Sequence, residues 1–236
     1  MKRSKKYREK SEKIDRTRRY ALSEGIRLLK TFENGGFNET VELSLNMGLD
    51  TRHSDQQVRG TAVLPHGTGK TVRVLVITQG EPAREAEEAG ADFVGSDEYI
   101  QKIQEGWLDF DVAIATPDMM RGVGKLGRIL GRRGLMPNPK SGTVTQDVGK
   151  AVRDAKAGRV EFRTDRGGNV HVAIGKLSFT AEQLEENSRT FVDAIMRLRP
   201  PGAKGQYINS MTLSSTMSPG IRVDQQAIMA EMRQRG

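Results

Sequence analysis

Apolar residues recur along this chain with two different periods, and the change of period separates helices from strands. From residue 40 to 45 every second residue is apolar, which predicts a half-buried strand, and 58–64 is expected to be its partner. Over 23–32 the apolar residues stand three apart, which predicts a short amphipathic helix that ends at the glycines of 34–36. The amino-terminal part is therefore expected to contribute one helix and two strands.

A different pattern begins after residue 67, where predicted strands and helices alternate. Runs rich in β-branched residues at 71–77 and 112–116 predict buried strands, and a short strand is expected at 92–94. The helices predicted around them cover 81–89, 97–104 and 147–157. This alternation is typical of a parallel sheet that is covered by helices on both faces.

Beyond residue 158 the pattern changes again. Predicted strands at 160–163 and 170–174 flank a glycine-containing turn at 165–169, which predicts a hairpin. The other elements expected here are a helix over 180–198 with Thr180 as its N-cap, a strand over 207–215 and a helix over 224–235.

The order of these elements predicts an α+β protein with two domains. The chain ends, 1–67 and 159–236, are expected to form one split α+β domain. The middle, 68–158, is expected to be an inserted α/β domain with three layers. Crossings near 67–69 and near residue 158 would join the domains as a hinge.

Composition favours a polyanionic partner. The 236 residues carry a formal charge of +8 with a pI near 9.8, which indicates a nucleic acid or an anionic membrane surface. No apolar run is long enough to span a bilayer, and no signal segment is evident, so a cytoplasmic protein without a membrane partner is expected. The absence of cysteine excludes disulfides and thiolate metal sites.

The charge is concentrated in particular segments. Residues 68–118 contain 4 basic and 11 acidic residues, whereas 121–140 contains no acidic residue. Because unpaired cations are costly to bury, 121–140 is expected to form a basic surface on the second domain. Its cations are Arg121, Lys125, Arg128, Arg132, Arg133 and Lys140. The basic residues of 1–20 are compatible with a solvated tail or helix, or with an arm that follows phosphates.

Two segments resemble nucleotide-binding motifs without meeting their requirements. LPHGTGKT at 64–71 lacks the first glycine of a phosphate-binding loop and is followed by a strand pattern instead of a helix. GVGKLG at 122–127 does not directly follow a strand. The three histidines are isolated in sequence, so no catalytic residue, metal or cofactor is expected. A nucleotide-binding enzyme that uses the middle α/β domain stays the alternative.

Four segments resemble a known family in sequence and order. They are GKLGRILGRRGLMPNPKSGTV at 124–144, FNETVE at 37–42, GKLSF at 175–179 and SSTM at 214–217. Together they are similar to the bacterial branch of the family of large-subunit ribosomal protein one, found on the mobile stalk beside the tRNA exit site.

The resemblance implies a non-enzymatic constituent of the large ribosomal subunit, in which a Rossmann-like domain is inserted into a domain built from both chain ends. It implies that the first domain binds a helical junction of 23S-type rRNA and that the protein assists movement and release of deacylated exit-site tRNA. It also implies repression of the protein's own operon through a messenger site that mimics the ribosomal one. A monomer is expected when the protein is free.

The resemblance and the strand pattern together predict an rRNA-binding set. Over 207–215 the alternation is expected to place Ile208 on the same face as the polar residues of the strand. The hydroxyls of such a row can bond RNA 2′-hydroxyls and phosphates without reading sequence, although an ordinary solvent-facing strand would look the same. The expected rRNA-binding residues are Phe37, Thr40, Lys176, Ser210, Thr212, Ser214, Thr216 and Met217.

Two positions depart from the family pattern. Ser218 stands where the family usually has glycine, and a serine there is expected to cost about 1 kcal/mol if the residue approaches the RNA backbone closely or needs a positive φ. Gly36 stands where a lysine is common, so one phosphate contact is expected to be missing.

Overall fold

The computed structural model describes residues 3–32, 36–203 and 205–235. The chain divides into two compact units, one of residues 1–69 with 160–236 and the other of residues 70–159. We call them the split unit and the inserted unit. The crossings predicted after residues 67 and 158 fall within two residues of these limits.

The elements follow one another in three groups. The first group is α1 (Lys5–Glu12), α2 (Leu22–Lys30), β1 (Thr40–Met47) and β2 (Arg59–Val63). The second is β3 (Val74–Ile77), α3 (Glu81–Glu88), β4 (Phe93–Gly95), α4 (Asp97–Gln104), β5 (Val112–Ala115), α5 (Met120–Val123), α6 (Gly127–Arg133) and α7 (Val148–Lys156). The third is β6 (Arg159–Arg163), β7 (Asn169–Lys176), α8 (Ala181–Arg197), β8 (Ile208–Ser215), β9 (Ile221–Val223) and α9 (Gln225–Arg235).

The split unit is built on an antiparallel sheet of order β7-β1-β8-β9. Val41, Leu43 and Leu45 of β1 are buried, and α2 and α8 pack against this apolar face. Thr180 starts α8 with a capping box, in which its hydroxyl accepts a hydrogen bond from the Gln183 amide and the Gln183 side chain accepts one from the Thr180 amide. The helices therefore cover one face of the sheet, and the polar positions of its strands point the other way.

The strand pairings of the split unit differ from two predictions. The predicted partner of β1 was wrong, because β2 pairs with β6 in a separate two-stranded sheet, and β1 lies between β7 and β8. The predicted hairpin is also wrong, because the turn is present but the two strands beside it do not pair with each other. Gly168 has φ +74°, as the turn requires, but β6 and β7 on either side join different sheets.

Ile208 does not share a face with the hydroxyl residues of β8. Met47 pairs with Ile208 and Asn46 with Ser210, so Asn209 is an extra residue in the ladder. A bulge of this kind reverses the side to which preceding side chains point. Ile208 is accordingly buried, whereas Ser210 is exposed.

The inserted unit contains a parallel sheet of order β4-β3-β5, as the alternation of strands and helices predicts. Leu75 and Ile77 of β3 pack with apolar residues of α4, α5 and α6. Val74 and Val76 point to the other face and pack with α3 and α7. The sheet is therefore buried between two helical layers.

The ends of the chain add elements that the sequence patterns left open or missed. Residues 5–12 of the basic amino-terminal segment form α1, and the short strand β9 was not predicted. Helix α2 ends at Lys30, and its predicted stop at 34–36 lies mainly outside the described residues. Within the described ranges, no helix is long and apolar enough to cross a membrane.

Candidate nucleic-acid interface

The uncovered face of the four-stranded sheet carries polar residues in register across three strands. Asn46 lies between Ser210 of β8 and Asn169 of β7. Ser44 of the same central strand lies between Thr212 and His171. Because neighbouring strands lie about 5 Å apart, the rows form a continuous polar surface. We call this surface the polar face, and it continues through Glu42, which pairs with Ser214, and Thr40, which pairs with Lys176.

Neutral hydrogen bonds fix the side chains of the central rows. The Asn46 amide nitrogen donates to Asn169 Oδ1 at 2.8 Å, and the Asn209 amide nitrogen donates to Asn46 Oδ1 at 3.2 Å. Ser44 Oγ and His171 Nδ1 are 2.9 Å apart. These bonds hold donors and acceptors in place before any ligand binds.

The predicted hydroxyls of β8 differ from these residues because they have no hydrogen-bond partner among the described residues. Ser210 is exposed, and Thr212 and Ser214 are half-buried. Within the described part of the chain, no hydrogen bond engages any of their three hydroxyls. The strand thus presents a row of hydroxyls that can donate to or accept from a ligand.

One corner of the polar face brings together three further predicted residues. Lys176 Nζ donates to Thr40 Oγ1 at 2.7 Å, and the Thr40 amide donates to Thr216 Oγ1 at 3.2 Å. The lysine head is only partly covered, so its charge remains available to an anion at this corner.

Phe37 and Met217 are the predicted apolar contacts, and both are exposed. Phe37 is 54% exposed and Met217 is 57% exposed, which makes them two of the four exposed large apolar side chains of the described residues. Phe37 precedes β1 and Met217 follows β8. Since β1 and β8 are adjacent and antiparallel, both residues stand at the Thr40–Thr216 end of the sheet.

A buried glutamate that the sequence did not single out connects this end of the sheet to α1. Glu39 is fully buried and accepts hydrogen bonds from Ser215 Oγ at 2.6 Å and from the Met217 amide at 2.9 Å. Lys10 Nζ of α1 lies 3.8 Å from its carboxylate. Glu39 therefore fixes the turn that presents Met217.

The structure shows the surroundings of Ser218 and Gly36, the two positions that depart from the family pattern. Ser218 does not have a positive φ, and its hydroxyl accepts a hydrogen bond from the Ser215 amide at 2.8 Å. The expected penalty from a positive φ is therefore wrong, because the serine side chain closes the turn, whereas a cost from close approach to RNA stays a prediction. At Gly36, a Cβ would meet no atom within 4 Å, so a larger residue would fit there.

The turn at 165–169 ends the polar face at the opposite side. The Asp165 carboxylate accepts hydrogen bonds from the Asn169 amide at 2.7 Å and from the Gly167 amide at 2.8 Å. The bond from the Asn169 amide is the main reason why the pKa of Asp165 is lowered, and nearby His171 adds to the effect.

Sequence reasoning found the polar row of β8 but missed its neighbours on β1 and β7. Ser44, Asn46, Asn169 and His171 occupy the same face. The alternation in β1 marks Ser44 and Asn46 as outward-facing. Their proximity to β8 depends on the strand order, which alternation does not reveal.

The six predicted cations of the second domain all lie on the surface of the inserted unit. They are exposed, whereas Leu126 and Leu130 between them are buried against the sheet. Among the described residues, no carboxylate forms an ion pair with any of the six. We call the set Arg121, Lys125, Arg128, Arg132, Arg133 and Lys140 the inserted-unit basic surface.

Neither nucleotide-binding motif has the geometry that its chemistry needs. The motif at 64–71 is followed by residues 72 and 73, which are not helical. No helix amino terminus therefore faces a phosphate there. Gly122 lies within α5, and a Cβ there would come within 2.7 Å of Ile100. Close packing of α5 on α4 accounts for that glycine. Among the described residues, no group of histidine and carboxylate side chains is arranged to bind a metal.

A helix-backed sheet with a free hydroxyl-rich face, in a strongly basic chain, is typical of proteins that bind a structured polyanion. Comparison with known proteins gives the class: the profile of the ribosomal protein L1p/L10e family matches residues 29–219. The chain belongs to this family and is a ribosomal protein of the large subunit.

A curated relative extends the match over nearly the whole chain. The large ribosomal subunit protein uL1 of Thermobifida fusca (strain YX) is 57% identical over 227 residues, which cover 96% of this chain and 97% of the relative. The resemblance to the bacterial branch is thereby confirmed. RNA binding and a place in translation follow from the family, which is a structural class of protein and not an enzyme class.

Proposed function

We propose that the split unit binds 23S-type rRNA of the large subunit through the polar face and its Phe37–Met217 end. The observation that carries the proposal is the row of free hydroxyls on Ser210, Thr212 and Ser214, which lies on a face that the helices leave open. Hydroxyl groups left without protein partners suit a ligand rich in hydroxyls and phosphates.

Each part of this face has a distinct chemical role in the proposal. The hydroxyls and amides of the central rows bond 2′-hydroxyls and phosphate oxygens, which favours recognition of RNA shape over sequence. Lys176 pairs with a phosphate at the corner where Thr40 orients its head. Phe37 packs on a ribose or base, and Met217 adds an apolar contact beside it.

The inserted-unit basic surface has a separate role in the proposal. Its six cations lack carboxylate partners among the described residues and lie outside the split unit. We assign them to the deacylated tRNA at the exit site, whose movement and release the protein assists. The same polar face would bind the protein's own operon mRNA where that mRNA reproduces the ribosomal site, and so repress translation.

Removal of the free hydroxyls tests the rRNA assignment. The triple variant Ser210→Ala, Thr212→Val, Ser214→Ala breaks no hydrogen bond within the described structure, so we expect its melting temperature to match that of the wild type. Affinity for a transcript of the large-subunit stalk junction should fall about 10-fold or more, since each lost hydrogen bond contributes about 0.5–1.5 kcal/mol.

A hydroxyl in the inserted unit provides the matched control. Thr71 is exposed, and Thr71→Val should leave the affinity unchanged. An unchanged affinity in the stable triple variant would show that the polar face does not bind this RNA.

A further inference from the structure

The amino-terminal segment and the β8–β9 turn enclose a cleft that three arginines line. Arg3 and Arg16 come from the segment, and Arg222 comes from the edge strand β9. Backbone hydrogen bonds fasten the segment to this edge, because the Tyr20 amide donates to the Arg222 carbonyl at 2.9 Å and the Asp224 amide donates to the Tyr20 carbonyl at 2.8 Å. The cleft is therefore part of the folded split unit.

Neutral groups orient the guanidinium groups of this cleft. Arg3 lies over the ring of Tyr7 with its Cζ 4.3 Å from the centroid. Arg16 donates to Ser11 Oγ at 2.7 Å. Arg222 has a long contact of 3.5 Å with the Arg16 carbonyl. Such partners position a cation without neutralising it.

Other arginines of the split unit are paired with carboxylates instead of neutral groups. Arg18 pairs with Glu24 at 2.9 Å, and Arg189 pairs with Glu185 at 2.6 Å. Among the described residues, no carboxylate forms an ion pair with an arginine of the cleft. Three like charges thus line one cleft with a single described carboxylate, so the cleft keeps a positive charge, which favours an anionic ligand.

Asp15 is the one carboxylate among the described residues that line the cleft. Asp15 Oδ1 accepts hydrogen bonds from the Thr17 hydroxyl at 2.6 Å and from the Thr17 amide at 2.9 Å. The bond from the hydroxyl is the main reason why the pKa of Asp15 is lowered. Asp15 therefore stays charged near neutral pH, and its Oδ1 is bound within its own turn, so it offsets only part of the charge of the three arginines.

Arg222 also connects the cleft to the polar face. It pairs with Thr212 across β8 and β9, and a neighbouring depression is lined by Arg19, Arg222, Ser210 and Thr212. A phosphodiester backbone that crosses the polar face can therefore pass from the free hydroxyls to Arg222 and on into the cleft.

From these contacts we infer that Arg3, Arg16 and Arg222 form a second anion site, which binds phosphates of the same RNA next to the nucleotides on the polar face. This inference rests on the proposed rRNA binding of the split unit. It gives the basic amino-terminal segment a defined role in affinity, because each phosphate contact releases counterions.

The salt dependence of RNA affinity tests the inference. The full-length variant Arg16→Gln, Arg222→Gln should bind the stalk-junction transcript about 10-fold more weakly near physiological salt. Its plot of log affinity against log salt should be shallower by about 1.5, since each phosphate contact contributes about 0.7–0.9 to the slope. The variant Arg16→Lys, Arg222→Lys keeps both charges and should recover most of the slope.

Arg84 and Arg153 provide a control with the same change of net charge. Both are exposed on helices of the inserted unit, and Arg84→Gln, Arg153→Gln should keep the wild-type slope. A slope that is unchanged in the cleft variant, or lowered equally in both variants, would overturn the second anion site.

The triple variant of the polar face distinguishes a failure of the second anion site from a failure of the proposed rRNA binding. If that variant binds weakly while the cleft variant keeps the wild-type slope, only the second anion site is wrong. If the wild-type chain does not bind the transcript, the rRNA proposal fails and the second anion site fails with it.

Discussion

Glu39 shows how one buried side chain supports an exposed interface. Its carboxylate has no solvent contact, and its Oε2 accepts hydrogen bonds from both the Ser215 hydroxyl and the Met217 amide. Burial of a charge is costly unless it is paired and hydrogen-bonded, and here Lys10 supplies the nearby opposite charge. The position of Met217 thus depends on an interaction inside the fold.

Replacement of Glu39 should therefore reduce both stability and RNA affinity. Glu39→Ala is expected to lower the free energy of unfolding by about 2–4 kcal/mol, because it leaves the Ser215 and Met217 donors without their acceptor and the buried Lys10 without its nearby opposite charge. Denaturant unfolding measures this loss. Glu42→Ala on the same strand removes an exposed carboxylate and should change stability by less than about 0.5 kcal/mol. Equal losses in the two variants would contradict the role of Glu39.

At the scale of elements, the crossing out of the split unit packs against a proposed RNA contact. Gly69 has φ +72°, and a Cβ there would come within 2.8 Å of Lys176 Cγ and 3.0 Å of the Phe179 ring. Asn187 holds the preceding residues, since its amide oxygen accepts from the His66 amide at 3.1 Å and its nitrogen donates to the Gly67 carbonyl at 2.9 Å. The side-chain carbons of Lys176 therefore pack closely against the backbone at Gly69.

Gly69→Ala should consequently disturb Lys176 as well as the backbone. We expect a loss of about 2–3 kcal/mol in stability, from left-handed backbone strain and the contact with Lys176, with weaker RNA binding. Gly90→Ala is the matched control, because φ is +88° there and no atom lies within 4 Å of the added Cβ. It should cost only about 1 kcal/mol and leave RNA affinity unchanged. Thermal unfolding and the binding assay together distinguish the two variants, and indistinguishable results would refute the packing argument.

The turn at 165–169 should respond to acid. The hydrogen bond from the Asn169 amide lowers the folded-state pKa of Asp165 below the unfolded value of about 3.9. Its stabilising contribution is therefore complete above that value and is lost as the pH falls through the folded pKa. The amide resonances of Gly167 and Asn169 should titrate together with a midpoint below 3.9. A midpoint above that value would mean that the carboxylate does not cap the turn.

The sequence predicted elements better than it predicted their pairing. The helix expected at 97–104 is α4 without change, because a local period and local charges define it. The partner of β1 and the divergence of β6 from β7 depend on contacts distant in sequence. The extra residue Asn209 moves Ile208 to the buried face, and a period-two pattern does not mark such a bulge. Local alternation predicted the β8 hydroxyls. It did not predict their neighbours on β1 and β7, because strand order depends on contacts distant in sequence.

At the scale of the whole molecule, the polar and basic residues form separate surfaces with different proposed partners. The split unit presents the polar face and the arginine cleft, whereas the inserted unit carries six cations on α5, on the 3-10 turn after it, on α6 and on the segment that follows α6. Residues 70–118 of the inserted unit are acidic overall. Because Coulomb interactions at physiological salt are screened beyond about 8 Å, each surface should act mainly on the ligand that touches it.

Neutralising part of the inserted-unit basic surface should therefore spare rRNA docking. We expect Arg128→Gln, Arg132→Gln, Arg133→Gln to bind the stalk-junction transcript within a few-fold of the wild-type affinity. Ribosomes that carry this variant should release deacylated tRNA from the exit site more slowly, which rapid kinetic measurement of release would show. A collapse of transcript binding would contradict the division of roles.

The most direct test of the account is a chemical footprint of the full-length protein on large-subunit RNA. The wild-type chain is predicted to protect one structured junction of the stalk. The variant Ser210→Ala, Thr212→Val, Ser214→Ala should lose that protection at the same protein concentration. Full protection by the variant, or no protected junction with the wild-type chain, would contradict the claim that the polar face binds this RNA.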